Sequence, residues 1–197
     1  MNKLSFCILL LCSVCISSVA TAGENSGVYI YGAVGQSQHS NLTNENQDSY
    51  MGFLGYKLNS KWSIEGGYAD LGKTSYSGTI TVGGVTGTAN ASTKLSASSL
   101  TAVRTWIVPN DIGNNTFSIL AKFGIAQVKF SGDGSTTVPT SYSISGSHTK
   151  RGVTFGLGAK YDFDQNWSLR LDADSYDSGQ DFYGRIPVYS AGLSYLF

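Results

Sequence analysis

Cysteine is nearly missing from this chain, and its placement matters. All three cysteines, Cys7, Cys12 and Cys15, fall within the first 22 residues. From Gly23 onward there can be no disulfide, no cysteine-ligated zinc and no thiol nucleophile. Proline is scarce, with three residues in 197. Charge is sparse and balanced: 13 basic and 13 acidic residues give a formal net charge of zero. A nucleic-acid partner would need a basic stripe, and the sequence has none. Beyond the N-terminal stretch no run of 18 apolar residues occurs, so no transmembrane helix is expected. The two histidines, His39 and His148, have no partner at metal-ligand spacing, and no metal or cofactor is expected.

The N-terminus reads as a secretory leader. Lys3 is a short positive region, Leu4 to Ile16 is apolar, and Ala20-Thr21-Ala22 is a small-residue cleavage site. The expected division is a signal peptide over residues 1–22 and one domain over residues 23–197. A membrane anchor is disfavoured because the apolar run is short. A lipoprotein is disfavoured because neither Cys12 nor Cys15 has the right preceding residues.

What remains is rich in glycine (24), tyrosine (12) and phenylalanine (9), a composition of strands and turns. The last twelve residues are the clearest segment. Tyr189, Ala191, Leu193, Tyr195 and Phe197 form one face, and Ser190, Gly192 and Ser194 the other, the period-two pattern of a strand. In water such an aromatic terminal strand would be an aggregation-prone edge. Closed into a barrel within lipid, it pairs with the first strand and turns its apolar face to the membrane.

Seven further segments alternate in the same way: Gly27 to Ser37, Ser49 to Leu58, Trp62 to Leu71, Ala97 to Val108, Phe117 to Phe130, Arg151 to Phe163 and Trp167 to Ser175. Each is long enough to cross lipid at a tilt, which takes roughly 9–11 residues. Short Asn/Asp turns at Asn59 to Lys61, Asn110 to Asn115 and Asp164 to Asn166 alternate with long polar connections: Gln38 to Asp48, Gly72 to Ser96, Ser131 to Lys150 and Tyr176 to Arg185. The fold expected is all-β: an eight-stranded antiparallel transmembrane β-barrel with short periplasmic turns and long extracellular loops, in a bacterial outer membrane. Gly78 to Gly84 reads as a hairpin continuing above the membrane, with a ten-stranded barrel as the alternative.

An internal echo supports this. Tyr56-Lys-Leu-Asn-Ser-Lys-Trp62-Ser-Ile-Glu65 matches Tyr161-Asp-Phe-Asp-Gln-Asn-Trp167-Ser-Leu-Arg170 in pattern. Tyr56, Trp62, Phe117, Tyr161, Phe163, Trp167, Tyr195 and Phe197 are expected to form a lower aromatic girdle, and Tyr50, Tyr68 and Tyr189 an upper one. A soluble sandwich would leave unexplained why aromatics sit at strand ends and aliphatics at strand centres.

If aliphatic faces meet lipid, Glu65, Lys122, Lys160, Asp162, Arg170, Asp172 and Asp174 face the lumen. A Lys or Arg on the lipid face near mid-membrane costs about 2–4 kcal/mol. An eight-stranded barrel is only wide enough to be filled by side chains, so a packed ionic network is expected, Glu65 with Arg170 foremost. An ion-admitting gate is the alternative. Arg104 shares parity with Leu100, Ala102 and Trp106; its cost on the lipid face favours the lumen. Gly156-Leu-Gly158 lies in a strand and is no phosphate loop. The sequons at Asn41 and Asn90 carry no weight in a bacterial chain. His148 would serve a lipid-modifying enzyme only if Ser and an acid converged on it, and no such set is visible. The long loops are the candidate recognition surface, for lipopolysaccharide or a host ligand.

The run Gly55-Tyr56-Lys-Leu-Asn-Ser-Lys-Trp62-Ser-Ile-Glu65-Gly-Gly-Tyr68-Ala-Asp-Leu71-Gly72 resembles the second and third strands of the OmpA-like transmembrane domain family. The ending Ser190-x-Gly192-x-x-Tyr195-x-Phe197 is similar to the C-terminal signal read by the barrel assembly machinery. The resemblance implies an eight-stranded barrel, inserted from the periplasm, with in-barrel ion pairs; a monomer without enzymatic activity is expected. Glu65 and Arg170 fall on the family's acidic and basic lumen positions; Lys160 stands where the type member has an acid. Well-known members carry a wall-binding domain after the barrel. This chain stops at Phe197, so a wall-anchoring role is not expected. A structural or adhesive surface role is the first expectation, a small-solute channel the second, and a lipid A-modifying enzyme a remote third.

Overall fold

The computed structural model describes residues 26–38, 46–109, 116–138, 141–177 and 184–197. The leader reading of residues 1–22, the turn at Asn110 to Asn115, and His39 lie outside the described residues, as does most of the loops Gln38 to Asp48 and Tyr176 to Arg185. Eight strands follow in chain order: β1 (Gly27–Gln38), β2 (Asn46–Lys57), β3 (Trp62–Val82), β4 (Val85–Val108), β5 (Thr116–Thr136), β6 (Tyr142–Asp162), β7 (Trp167–Asp177) and β8 (Arg185–Leu196). Each pairs antiparallel with the next, and β1 pairs with β8, so the sheet closes on itself. The ring of described residues closes with these eight strands, and the eight-stranded reading stands.

Parity divides each strand between two environments. Ile30, Leu54, Phe123, Ile125, Leu157, Leu169 and Leu193 all lie exposed on the outer wall; Leu157 is 64% exposed. Glu65, Lys122, Arg170, Asp172 and Asp174 are all buried on the inner wall; Arg170 is 2% exposed. This is the inverse of a soluble protein, and it suits a cylinder whose outside is in contact with lipid.

The two echoed segments fold alike. The Leu58 and Asn59 amides both donate to the Trp62 carbonyl, and the Phe163 and Asp164 amides both donate to that of Trp167. Asn59 Oδ1 accepts from the amides of Lys61 and Trp62, so the short turn is closed by its own side chain.

Four strands are much longer than the apolar alternation indicates. β3 and β4 continue through the expected loop Gly72 to Ser96 to a two-residue turn, Gly83-Gly84, where φ is 60° and 81°. Positive φ at both turn residues is the primed hairpin turn that matches strand twist, and glycine adopts it freely. β5 and β6 likewise run through much of Ser131 to Lys150. The alternation fades because both sheet faces there meet water, while the backbone ladder persists.

Candidate functional site

The lumen is layered. In its middle, the Tyr29 hydroxyl donates to Glu65 Oε1 at 2.7 Å, and the same oxygen accepts from Arg170 Nη1 at 2.5 Å. Arg170 Nη2 reaches Asp172 Oδ2 at 3.2 Å. Lys122 Nζ lies 3.3 Å from Asp172 Oδ2 and 2.7 Å from Asp174 Oδ2. The Arg170 guanidinium also sits 4.0 Å over the ring of Tyr31. One chain of charges thus links β1, β3, β5 and β7 across the interior. Gly156 and Gly158 on β6 make room for it: a Cβ at either would collide with the Asp174 or Asp172 carboxylate. Their spacing has a packing reason in a strand.

Lys160 and Asp162 pair with each other at 2.8 Å nearer the periplasmic mouth, half-buried, and Asp162 also accepts from the Ser168 hydroxyl at 2.5 Å. No direct ion pair joins them to the Glu65–Arg170 group among the described residues.

On the extracellular side of the charges lies an apolar layer that the sequence reading missed. Leu71, Leu95, Val128, Phe130, Tyr176, Ile186 and Val188 are buried together inside the ring. Their parity was legible; a polar interior was assumed for all inward positions. Polar and apolar side chains together close the bore, in two tiers.

Arg104 corrects a weaker inference. It points outward on β4, its guanidinium 4.9 Å from the Trp62 ring and 5.7 Å from that of Trp106. The cost argument assumed mid-membrane depth. Arg104 pairs in register with Trp62, the first residue of β3, so it sits at the rim, where the two indoles shield it.

The aromatic positions at that rim are outward. Tyr56, Trp62, Phe117, Tyr161, Phe163, Trp167 and Phe197 are exposed. Trp167 packs edge-on to Tyr195 at 4.9 Å, and Tyr195 edge-on to Phe197 at 5.0 Å. At the opposite rim Tyr50, Tyr68 and Tyr189 are exposed. Of the C-terminal set, Ser190 faces inward and is buried, Gly192 pairs with Ala33 and Arg170, and Tyr195 and Phe197 face outward.

Above the upper rim, the long strands β3–β4–β5–β6 form a four-stranded sheet. Among the described residues, β3 has no ladder to β2 beyond Asp70, and β6 has none to β7 before Thr154. Gly72, with φ of 93°, marks the irregularity where β3 leaves the ring. Twelve residues beyond it reach roughly 40 Å at the strand rise. At the base of this sheet Lys94, Lys129 and Arg151 share the outward parity of Leu100, Ile125 and Val153 on three adjacent strands. Lys94 Nζ pairs with Asp70 at 2.7 Å, and that carboxylate holds the ammonium pKa above its ordinary value.

An eight-stranded closed ring with lipid-type side chains outside and a bore closed by side chains defines a small integral membrane barrel. The chain belongs to the family of the outer membrane protein beta-barrel domain, whose model matches residues 7–197. It is therefore an outer-membrane protein, as the alternation and terminal strand led us to expect. The fold is shared with solved barrels of low identity. Ail, the attachment invasion locus protein of Yersinia pestis, in complex with the heparin analogue sucrose octasulfate, is 16% identical, with a TM-score of 0.52, covering 88% of this chain and 98% of Ail. The N-terminal β-barrel domain of Pseudomonas aeruginosa OprF is 17% identical, with a TM-score of 0.52, covering 88% of this chain and 100% of that domain. OprG from the same organism is 14% identical, with a TM-score of 0.52, covering 89% and 98%. No curated protein matches the chain.

Proposed function

We propose that this chain is a non-catalytic surface barrel that uses its extracellular four-stranded sheet as a contact platform. The observation that carries the reading is the sheet itself: a hydrogen-bonded extension of β3 to β6, where coil would have sufficed to connect the strands. A preformed surface loses less conformational entropy on binding than a loop does. Side-chain pairs between its strands stiffen it further, with Ser77 donating to Asn90 at 2.7 Å and Thr81 and Thr86 bonded at 3.0 Å. Tyr76, Tyr142 and Ile144 stand exposed on it.

Two partner chemistries follow. Lys94, Lys129 and Arg151 sit at the level of lipid headgroups, a seat for lipopolysaccharide phosphates. The upper sheet is offered to a host ligand, and the heparin analogue bound by Ail makes a sulfated glycan the first to test. The lumen supports a structural role over a channel, because an ionic and an apolar tier lie in series along it. The reading of residues 1–22 as a cleaved leader, and of Ser190, Gly192, Tyr195 and Phe197 as an assembly signal, belongs to the same proposal. The outward Tyr195 and Phe197 rings, free of the lumen packing, support the latter.

Replacing residues 74–92 and 132–147 with tight turns keeps the ring and removes the platform. Loss of binding to sulfated glycan or to host cells, with the barrel still folded, is the expected result. Undiminished binding overturns the proposal.

A further inference from the structure

The periplasmic half of the lumen holds a cavity of about 550 Å³. It opens between the two echoed turns, with Asn59 and Ser60 on one side and Asp164, Gln165 and Asn166 on the other. Its inner end is closed by Glu65 and Arg170, so it is a blind vestibule. Six ionisable residues of opposite sign line it: Lys57, Lys160 and Arg170 against Glu65, Asp162 and Asp164.

The acids are already engaged. Glu65 accepts from Arg170 and Tyr29. Asp162 accepts from Ser168 and pairs with Lys160. Asp164 Oδ1 accepts from the Gln165 amide in the turn. That leaves Lys57, on the inward face at the end of β2, with no ion pair among the described residues; the Lys160 ammonium repels it and the Asp162 carboxylate attracts it from a distance. Deeper in, the Ser118 hydroxyl is fully buried and has no hydrogen-bond partner among the described residues, and neither does Arg170 Nε. Both residues line the cavity. Ser118 pairs in register with Lys160 on the neighbouring strand, so hydroxyl and ammonium share one wall. Buried donors left unmatched are uncommon, and each one calls for a partner.

We propose that this vestibule binds a small oxyanion, phosphate or carboxylate, entering from the periplasm. The Lys57 and Lys160 ammoniums hold its charge, and the Ser118 hydroxyl donates to it from the inner wall. A charged acceptor bonds ammonium and hydroxyl donors roughly twice as strongly as a neutral one does. The site lies at the opposite end of the barrel from the extracellular platform, and neither depends on the other.

The test uses the whole barrel in nanodiscs with its lysines isotopically dimethylated, which keeps their charge. Inorganic phosphate, and separately citrate, is titrated against chloride at constant ionic strength, and the lysine methyl resonances are followed. Saturable shifts of Lys57 and Lys160, with Lys73 on the extracellular side unmoved, are expected for at least one probe. Lys57→Met is expected to weaken the Lys160 response at least tenfold, and Ser118→Ala several-fold, both variants migrating as folded barrels on unboiled gels. Parallel, non-saturating shifts at every lysine, or a Lys160 response unchanged in both variants, would overturn the proposal.

Discussion

Arg170→Met is the sharpest perturbation of the lumen. Methionine keeps an unbranched side chain of similar reach and removes the guanidinium. The Glu65 side chain, 1% exposed, would then keep only the Tyr29 hydroxyl, while Asp172 would keep Lys122. Removing one partner of a buried ion pair costs about 3–5 kcal/mol, because the remaining charge is uncompensated. Glu65 also lines the periplasmic cavity, so water and protonation relieve part of that cost. The expected loss therefore lies near the lower bound, about 3 kcal/mol. Glu65→Gln combined with Arg170→Met removes both charges and leaves an amide that still accepts from Tyr29. That double variant is expected within about 1 kcal/mol of the parent, since replacing a whole buried pair is often nearly neutral. The assay is reversible urea unfolding in lipid vesicles, read by tryptophan emission and by the mobility of unboiled samples. A double variant no more stable than Arg170→Met alone, or an Arg170→Met barrel as stable as the parent, would refute the pairing argument.

Other outcomes follow from the same geometry. Gly158→Ala is expected to destabilise the barrel by about 1–3 kcal/mol, since its Cβ meets the Asp172 carboxylate, whereas Gly52→Ala, open on the outer wall, is expected to be near neutral; urea unfolding distinguishes them. Leu157→Arg on the lipid face is expected to cost about 2–4 kcal/mol in the same assay. Trp167→Ala is expected to lose about 0.5–1.5 kcal/mol of ring packing on Tyr195 beyond its burial. Planar-bilayer recording is expected to show no stable open level for the parent. Leu71→Ala with Leu95→Ala thins the apolar tier and is expected to leave it closed, because the Glu65–Arg170 tier remains.

The sequence exposed the ring and the direction of most side chains, because lipid on one face enforces strict alternation. Leu157, Leu169 and Leu193 against Arg170 and Asp172 were readable for that reason. Strand length was not readable above the membrane: Thr79 to Val82 and Val85 to Thr88 pair through the ladder and a Thr81–Thr86 hydroxyl bond, with no apolar alternation to mark them. The apolar tier was hidden by an assumption that inward means polar; Val128 and Phe130 share parity with Lys122, and a narrow barrel buries them equally well. Arg104 was misjudged because parity carries no depth, and only the register with Trp62 places it at the rim. Lys57 and Ser118 escaped notice because neither stands out in sequence, although both obey the inward parity of their strands.

The central claim is that greasy side chains coat this cylinder while charges and a second apolar tier occupy its bore. From Gly23 onward the chain has no cysteine, so single cysteines can carry a fluorophore at chosen sites. Label at positions 157, 169 and 193 is expected to be quenched by nitroxide-bearing lipid tails in reconstituted vesicles. Cysteine at position 118, buried on the inner wall, is expected to escape that quenching. Lipid quenching at 118, or its absence at 157, 169 and 193, would contradict the account.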